Sequence, residues 1–227
     1  MTFIKEVQAM KTILLVASLF GVVAPALAGA AEENPPASSN QPVALFNGKD
    51  FTGWKRFVAS KKADVDTIWQ MRDGVLHCTG RIPGYIRTTA PYRNYKIEFD
   101  WRWPDKPGNS GLLIHIQEPD MVWPKSIECQ LMNKNAGDFY VIEGSEFKEH
   151  TDPTDRRVAK RHDSNEKPPG EWNHCEAVCD GNTITVTING RVQNVATETN
   201  ITTGYIGLQS EGASIEFRNV TLTPLKQ

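Results

Sequence analysis

The stretch Tyr95-Lys96-Ile97-Glu98-Phe99-Asp100-Trp101-Arg102-Trp103 carries aromatic or aliphatic side chains at every odd position and charges at every even one. Successive side chains leave a strand on opposite sides, so this alternation specifies one core face and one face toward solvent or a site. From Val43 onward the chain repeats the theme in shorter pieces with almost no 3.6-residue period. Further strands are predicted at Ile68 to Arg72, Val75 to Cys78, Tyr85 to Thr88, Gly111 to Gln117, Ser126 to Met132, Asp138 to Ile142, Trp172 to Cys179, Thr183 to Ile188, Tyr205 to Gln209 and Ile215 to Thr223. Gly, Pro, Asn and Asp punctuate them. Asp180-Gly181 and Asn189-Gly190 accept the positive φ of tight hairpin turns and join Cys179 to Thr183 and Ile188 to Val192. Short strands at this spacing predict an all-β fold, a two-sheet antiparallel sandwich of jelly-roll kind.

The chain has 227 residues, a formal net charge of -2 and 39% hydrophobic residues. That fits one globular domain and gives no electrostatic case for a nucleic-acid partner. Lys11 precedes an apolar run from Thr12 to Ala28, and Ala26-Leu27-Ala28 ahead of Gly29 forms an A-x-A type cleavage site. Residues 1–28 therefore read as a secretory signal peptide rather than a membrane anchor, since the run is short for a span and Pro25 sits near its end. Residues 29–42, with Glu32, Glu33, Pro35, Pro36, Ser38 and Ser39, read as a flexible linker, and 43–227 as the folded domain. The expected location is the periplasm or the medium, with no stable membrane span once the signal is removed.

Export allows disulfides, and Cys78, Cys129, Cys175 and Cys179 permit up to two. Cys129 nevertheless falls on the apolar face of its strand, and Cys175 and Cys179 share the parity of Ala177, which suits buried free thiols equally well. A zinc site is disfavoured, because Cys175 and Cys179 on an extended strand project their sulfurs too far apart for one metal.

Alternation also marks a polar face. In Ser126-Ile127-Glu128-Cys129-Gln130-Leu131, Glu128 and Gln130 oppose Ile127, Cys129 and Leu131. In Leu112 to Gln117, His115 lies with Leu113 and Gln117, while Gly207 to Glu211 contributes Gln209 and Glu211. United in one sheet, these form a floor of His, Glu and Gln that Asp100 and Arg102 could join, with Trp123 and Trp172 at its rim. Such surfaces suit sugars, whose hydroxyls pair with carboxylates and amides while aromatic rings stack on their CH faces. Plainer readings stand beside these: Glu128 in a surface ion pair, His115 as a hydrogen-bonded structural imidazole, Trp172 as packing. The charged, proline-bearing residues 133–170 read either as a solvated loop or as a lid over the floor.

Several chemistries find no support. Gly108-Asn109-Ser110-Gly111 lacks the G-x-S-x-G elbow of serine hydrolases, and neither a dinucleotide nor a P-loop motif occurs. Glu98-Phe99-Asp100 begins the E-x-D-x-x-E pattern of retaining β-glucanases, but Trp103 occupies its last position. That departure weakens an ordinary two-carboxylate glycosidase.

Read together, Leu45-Phe46-Asn47-Gly48-Lys49-Asp50-Phe51-Thr52-Gly53-Trp54, Asn109-Ser110-Gly111, Glu128-Cys129-Gln130, Gly170-Glu171-Trp172-Asn173, Asn189-Gly190, Gly204-Tyr205-Ile206-Gly207-Leu208-Gln209 and Phe217-Arg218-Asn219-Val220 resemble the 3-keto-disaccharide hydrolase family. The resemblance spans nearly all of residues 43 to 223. It implies a concanavalin A-like sandwich, exported by sugar-degrading bacteria, that acts on 3-keto-glucosides as a 1,2-lyase and a 3-keto-2-hydroxy-glucal hydratase. A ketone at C3 acidifies the C2 proton, so one base can start an elimination at C1 that water later reverses as net hydrolysis. On that mechanism Glu128 or His115 is the base and the other the acid or orienting group. Arg102, Gln130 and Gln209 polarise the ketone and enolate oxygens, and Asp100, Asn109, Trp123, Trp172 and Glu211 hold the sugar. A divalent metal on Glu128 and His115 is a further way to supply the electrophile. The alternative is a non-catalytic carbohydrate-binding module of the same fold. The chain departs from the family's pattern at His115, where many relatives carry Arg, and at Ser210-Glu211-Gly212, where they carry Asp-His-Gly.

Overall fold

The structure, a computed structural model, describes residues 41–226, so the expected signal peptide (1–28) and residues 29–40 of the expected linker lie outside the described residues. Fifteen strands follow in order: β1 (Val43–Ala44), β2 (Trp54–Val58), β3 (Trp69–Arg72), β4 (Val75–Cys78), β5 (Gly84–Thr88), β6 (Tyr95–Arg102), β7 (Gly111–Ile116), β8 (Ser126–Gln130), β9 (Phe139–Ile142), β10 (Arg157–Val158), β11 (Asn173–Asp180), β12 (Thr183–Ile188), β13 (Arg191–Ala196), β14 (Tyr205–Ser210) and β15 (Ile215–Pro224). They build two antiparallel sheets. The first runs β13-β12-β11-β6-β15-β4-β3, with β1 added to β15, and the second runs β10-β9-β8-β7-β14-β5-β2. A single 3-10 turn at Val65–Thr67 is the only helical element among the described residues.

The long alternating stretch is β6, near the middle of the first sheet. Tyr95, Ile97, Phe99 and Trp101 are buried and Lys96, Glu98, Asp100 and Arg102 are only partly so, as the alternation requires. Phe99 meets Phe217 edge-on at 5.9 Å between centroids, the geometry that places a positive ring edge over a negative ring face. The second sheet closes the core with Leu112 and Ile114 of β7, Ile127 and Cys129 of β8, and Ile206 and Leu208 of β14. The β12–β13 hairpin turns on Asn189 and Gly190, both at positive φ (46° and 78°), which matches the right-handed twist of the strands it joins.

All four cysteines are free and buried. Strands β1, β2, β10 and β13 fall outside the predicted set, β13 being implied only by the turn at Asn189-Gly190: all four lie at sheet margins, where solvent on one side removes the clean alternation. The long connection around β10 is tied down rather than loose. Glu149 accepts hydrogen bonds from the backbone N–H and hydroxyl of Thr197, both at 2.8 Å, and the Asn165 amide donates to the Ile188 carbonyl at 2.6 Å.

Candidate active site

The outer face of the second sheet holds the site. Glu128 on β8 pairs in register with Leu113 of β7 on one side and Tyr140 of β9 on the other. Its carboxylate does not stand up into solvent but lies across β7 at Gly111. A Cβ at position 111 would fall 2.3 Å from Glu128 Oε1 and 2.9 Å from Gln209 Oε1. Glycine leaves that space to the two side-chain ends, and it lets β8 and β14 bring their polar side chains together over the strand between them. Glu211 follows β14 and is bridged to Asn109, which puts Asn109 and Glu211 on the same cleft. The cleft has a volume of about 150 Å³ and is completed by Trp123, Met132, Tyr140, Ile142 and Arg156.

Its electrostatics follow from its dryness. Burial pushes the Glu128 carboxyl up to about 8, and the nearby Glu211 carboxylate pushes the same way, while the Gln209 amide and the Arg156 guanidinium offset part of the effect. Burial also raises Glu211, against the Asn109 amide and Arg156. Eleven buried side-chain nitrogen and oxygen atoms among the described residues lack a hydrogen-bond partner, and four of them gather here: Glu128 Oε1, both amide atoms of Gln209, and Asn109 Oδ1. Buried polar atoms are ordinarily paired, and here Gln209 and Glu128 are each other's neighbours: with its amide turned end for end, Gln209 donates to Glu128 Oε1, the hydrogen bond that lowers the carboxyl's pKa, which leaves Asn109 beside Glu211 as the amide at the cleft.

The other candidates read from the sequence separate into those in the cleft and those elsewhere. Gln130 lies in it, but its Oε1 already accepts from the N–H groups of Leu131 and Met132 at 3.0 and 2.9 Å, so it caps a turn. Trp123 stands in the wall, as expected. His115 does not. A register shift matches three steps along β7 to two along β14, and His115 takes the positive φ (56°) that absorbs the extra residue. The bulge reverses strand parity and turns the imidazole into the core, edge-on to Tyr95 at 5.7 Å, with Nδ1 3.2 Å from the Ile201 carbonyl. Burial lowers its pKa to about 4, so the ring is neutral. Glu128 and His115 thus do not meet and form no shared metal site. No group of three His, Cys, Asp or Glu side chains among the described residues is placed to hold a metal ion.

Asp100, Arg102 and Trp172 lie on the outer face of the first sheet, with the whole core between them and Glu128. Asp100 accepts from His174 at 2.9 Å, Asn219 at 2.8 Å and Arg218 at 3.1 Å. Arg102 pairs with Glu216 at 2.6 Å, and the Trp172 ring lies under the Arg102 and Arg218 guanidinium groups at 4.5 and 4.0 Å. These are saturated surface networks. Asp100 and Arg102 do face outward from their strand, but alternation cannot say which of two sheets a strand joins. Arg156, Tyr140, Met132 and Ile142 are the cleft residues that the sequence reading missed. Only the parity of Tyr140 with Ile142 on the predicted strand hinted at them.

The fold and the cleft define a β-sandwich of the concanavalin A-like, jelly-roll class with a carboxylate site on one sheet. Within that class, residues 41–223 match the model of the 3-keto-alpha-glucoside-1,2-lyase-like domain, and the chain belongs to that family. A Bacteroides thetaiotaomicron protein named 3-keto-disaccharide hydrolase is 22% identical, over 84% of this chain and 80% of its own length. A Parabacteroides distasonis crystal structure with a provisional glycosyl hydrolase name is 25% identical, with a TM-score of 0.61, covering 82% of this chain and 94% of that one. The carbohydrate binding module CBM66 from Bacillus subtilis, at 14% identity and a TM-score of 0.56 over 75% of this chain and 95% of that one, shares the fold alone.

Proposed function

We propose that this protein is an exported enzyme that cleaves 3-keto-glycosides by elimination and rehydration. The observation that carries the reading is the convergence of Asn109, Arg156 and a second carboxyl, Glu211, on one cleft around the buried Glu128 carboxyl, whose pKa burial raises. The family match and the name of the Bacteroides relative point to the same substrates. Glu128 takes the C2 proton, and the C–H electron pair moves into the C3 carbonyl to give an enolate. The enolate re-forms the ketone and a C1=C2 double bond while the C1–O bond breaks, its electron pair leaving with the aglycone oxygen, which gains a proton. Water then returns hydroxide to C1 and a proton to C2, completing a net hydrolysis. A carboxylate of ordinary acidity is a weak base for a C–H bond; one raised toward 8 is better matched. The Arg156 guanidinium, which lines the cleft, is the group available to the developing enolate oxygen, while the buried Gln209 amide steadies the Glu128 carboxyl. Glu211, the second carboxyl in the cleft, serves as proton donor to the leaving oxygen.

Incubating the purified protein with 3-keto-trehalose or a 3-keto-glucoside and following release of the leaving group tests the proposal. Tight binding without release across both anomers would instead identify a carbohydrate-binding module. The presence of Glu128 and Glu211 in one cleft favours a second reading, direct two-carboxylate hydrolysis. That reading predicts equal turnover of unoxidised glucosides, which elimination forbids. Export is tested separately by N-terminal sequencing of the native protein, which is expected to begin near Gly29.

Two further results are expected. If Glu128 is the base, kcat/KM rises with pH and levels off above about pH 8, because only the ionised form accepts a proton; a fall through that pH would make Glu128 the acid. Gly111→Ala should lower kcat/KM by about 10²-fold, since its Cβ displaces the Glu128 carboxylate and misplacement by an ångström has effects of that size. Thermal melts of that variant at pH 5 should stay close to wild type.

A further inference from the structure

The two sides of the cleft differ. From Glu128 toward β14 it offers Asn109 and Glu211, with Gln209 buried behind them, whereas toward β9 and the segment after β7 it is walled by Trp123, Ile142, Met132 and the ring of Tyr140, with the Arg156 guanidinium as the one charged group at that edge. The apolar side does not end at the cleft. It continues into a second hydrophobic cluster on the outer face of the sheet, in which Tyr85, Leu113, Ile116 and Ile142 are buried and Phe57, Trp123 and Tyr205 pack against them. Polar contacts fasten this wall: Asp120, three residues before Trp123, takes hydrogen bonds from Arg87 Nε at 2.7 Å and the Tyr85 hydroxyl at 2.8 Å, and Lys55 pairs with it at 2.6 Å.

Three large hydrophobic side chains are exposed among the described residues, and two of them border this wall. Met132 is 40% exposed at the cleft, and Met121, two residues before Trp123, is 41% exposed. The one amide on this side, Gln130, has its acceptor oxygen committed to two backbone N–H groups. A second sugar bound there would find the Arg156 guanidinium and the Tyr140 hydroxyl for two of its hydroxyls and would leave the others facing indole, thioether and alkyl carbon. An aromatic ring would not, because methionine sulfur and indole both make favourable, adaptable contacts with ring faces and edges.

We infer that the leaving-group side of this cleft is built for an aromatic aglycone rather than a second sugar, making 3-keto glycosides of aromatic alcohols the preferred substrate class. This rests on the elimination chemistry proposed above for the same cleft. The bonds made and broken are unchanged; only the group that departs with the C1 oxygen is specified.

The matched pair for the test is 3-keto benzyl glucoside and a 3-keto disaccharide of the same anomeric form. Both release an alkyl alcohol oxygen, so a preference between them reports the wall rather than the acidity of the leaving group. The expected result is a kcat/KM ratio of at least about tenfold for the benzyl compound, within the range that apolar pocket contacts confer. In Met132→Gln, an exposed position where folding is not at stake, and in Trp123→Ala, that ratio should shrink severalfold. Equal or better turnover of the disaccharide overturns the inference while leaving the elimination reading intact. If neither compound turns over, the elimination reading fails, and calorimetric binding of unreactive benzyl thioglucoside against a thio-linked disaccharide then decides the wall alone: tighter benzyl binding that weakens in Met132→Gln supports it, and the reverse order overturns it.

Discussion

Glu128→Gln is expected to lower turnover of a 3-keto-glycoside by about 10²–10⁴-fold, the usual effect of removing a general base. The amide keeps the size and shape of the side chain over Gly111 but cannot accept a proton. Its effect on stability should have the opposite sign. The folded protein holds the Glu128 proton up to about pH 8, whereas the unfolded chain releases it near 4.5. Between those values the folded state binds more protons than the unfolded one, so wild-type stability falls as pH rises through the window. Glutamine does not titrate and escapes that loss. Denaturant melts should therefore find the variant close to wild type at pH 5 and more stable at pH 9, by up to about 5 kcal/mol. Full activity in this variant would move the base to Glu211, and loss of the fold would make Glu128 a structural residue.

Ile127→Ala, one residue away, should do the reverse. Ile127 is fully buried on the inner face of β8, in register with Ile114 and Val141. Truncating it leaves a cavity between two strands whose pairing prevents collapse, and the expected loss is roughly 2–5 kcal/mol in urea or thermal unfolding. Turnover per folded molecule should change far less than in Glu128→Gln, because the Glu128 side chain leaves the strand on the other side. A mild stability loss together with a severe loss of turnover would mean that the parity of β8 has been misassigned.

Local alternation was enough to read the architecture. The pattern of Tyr95 to Trp103, the paired turn residues at Asn189-Gly190 and the parity of Glu128 with Gln130 are all properties of neighbouring residues, and a pleated backbone converts them directly into faces. The ordered motifs from Leu45 to Val220 likewise carried the family, which the match over residues 41–223 establishes. Glu128, Gln209, Asn109, Glu211 and Trp123 could be named because each sits on a strand or strand end whose parity was legible, or in the segment that leads into one.

What alternation cannot encode is which strands become neighbours, or where a ladder slips. Asp100 and Arg102 have the right parity on the wrong sheet, because β6 pairs with β11 and β15 while Glu128 lies between β7 and β9. His115 has the right strand but lies beyond a bulge, and a single extra residue there turns it into the core. Arg156 enters the cleft from a connection with no periodicity at all, placed by long-range hydrogen bonding of its backbone to Val141. The carboxylate's raised pKa belongs to no residue alone: it arises when Gly111 leaves room for Glu128 to lie down on the sheet and the surrounding side chains keep water away, and only the tertiary structure brings those parts together.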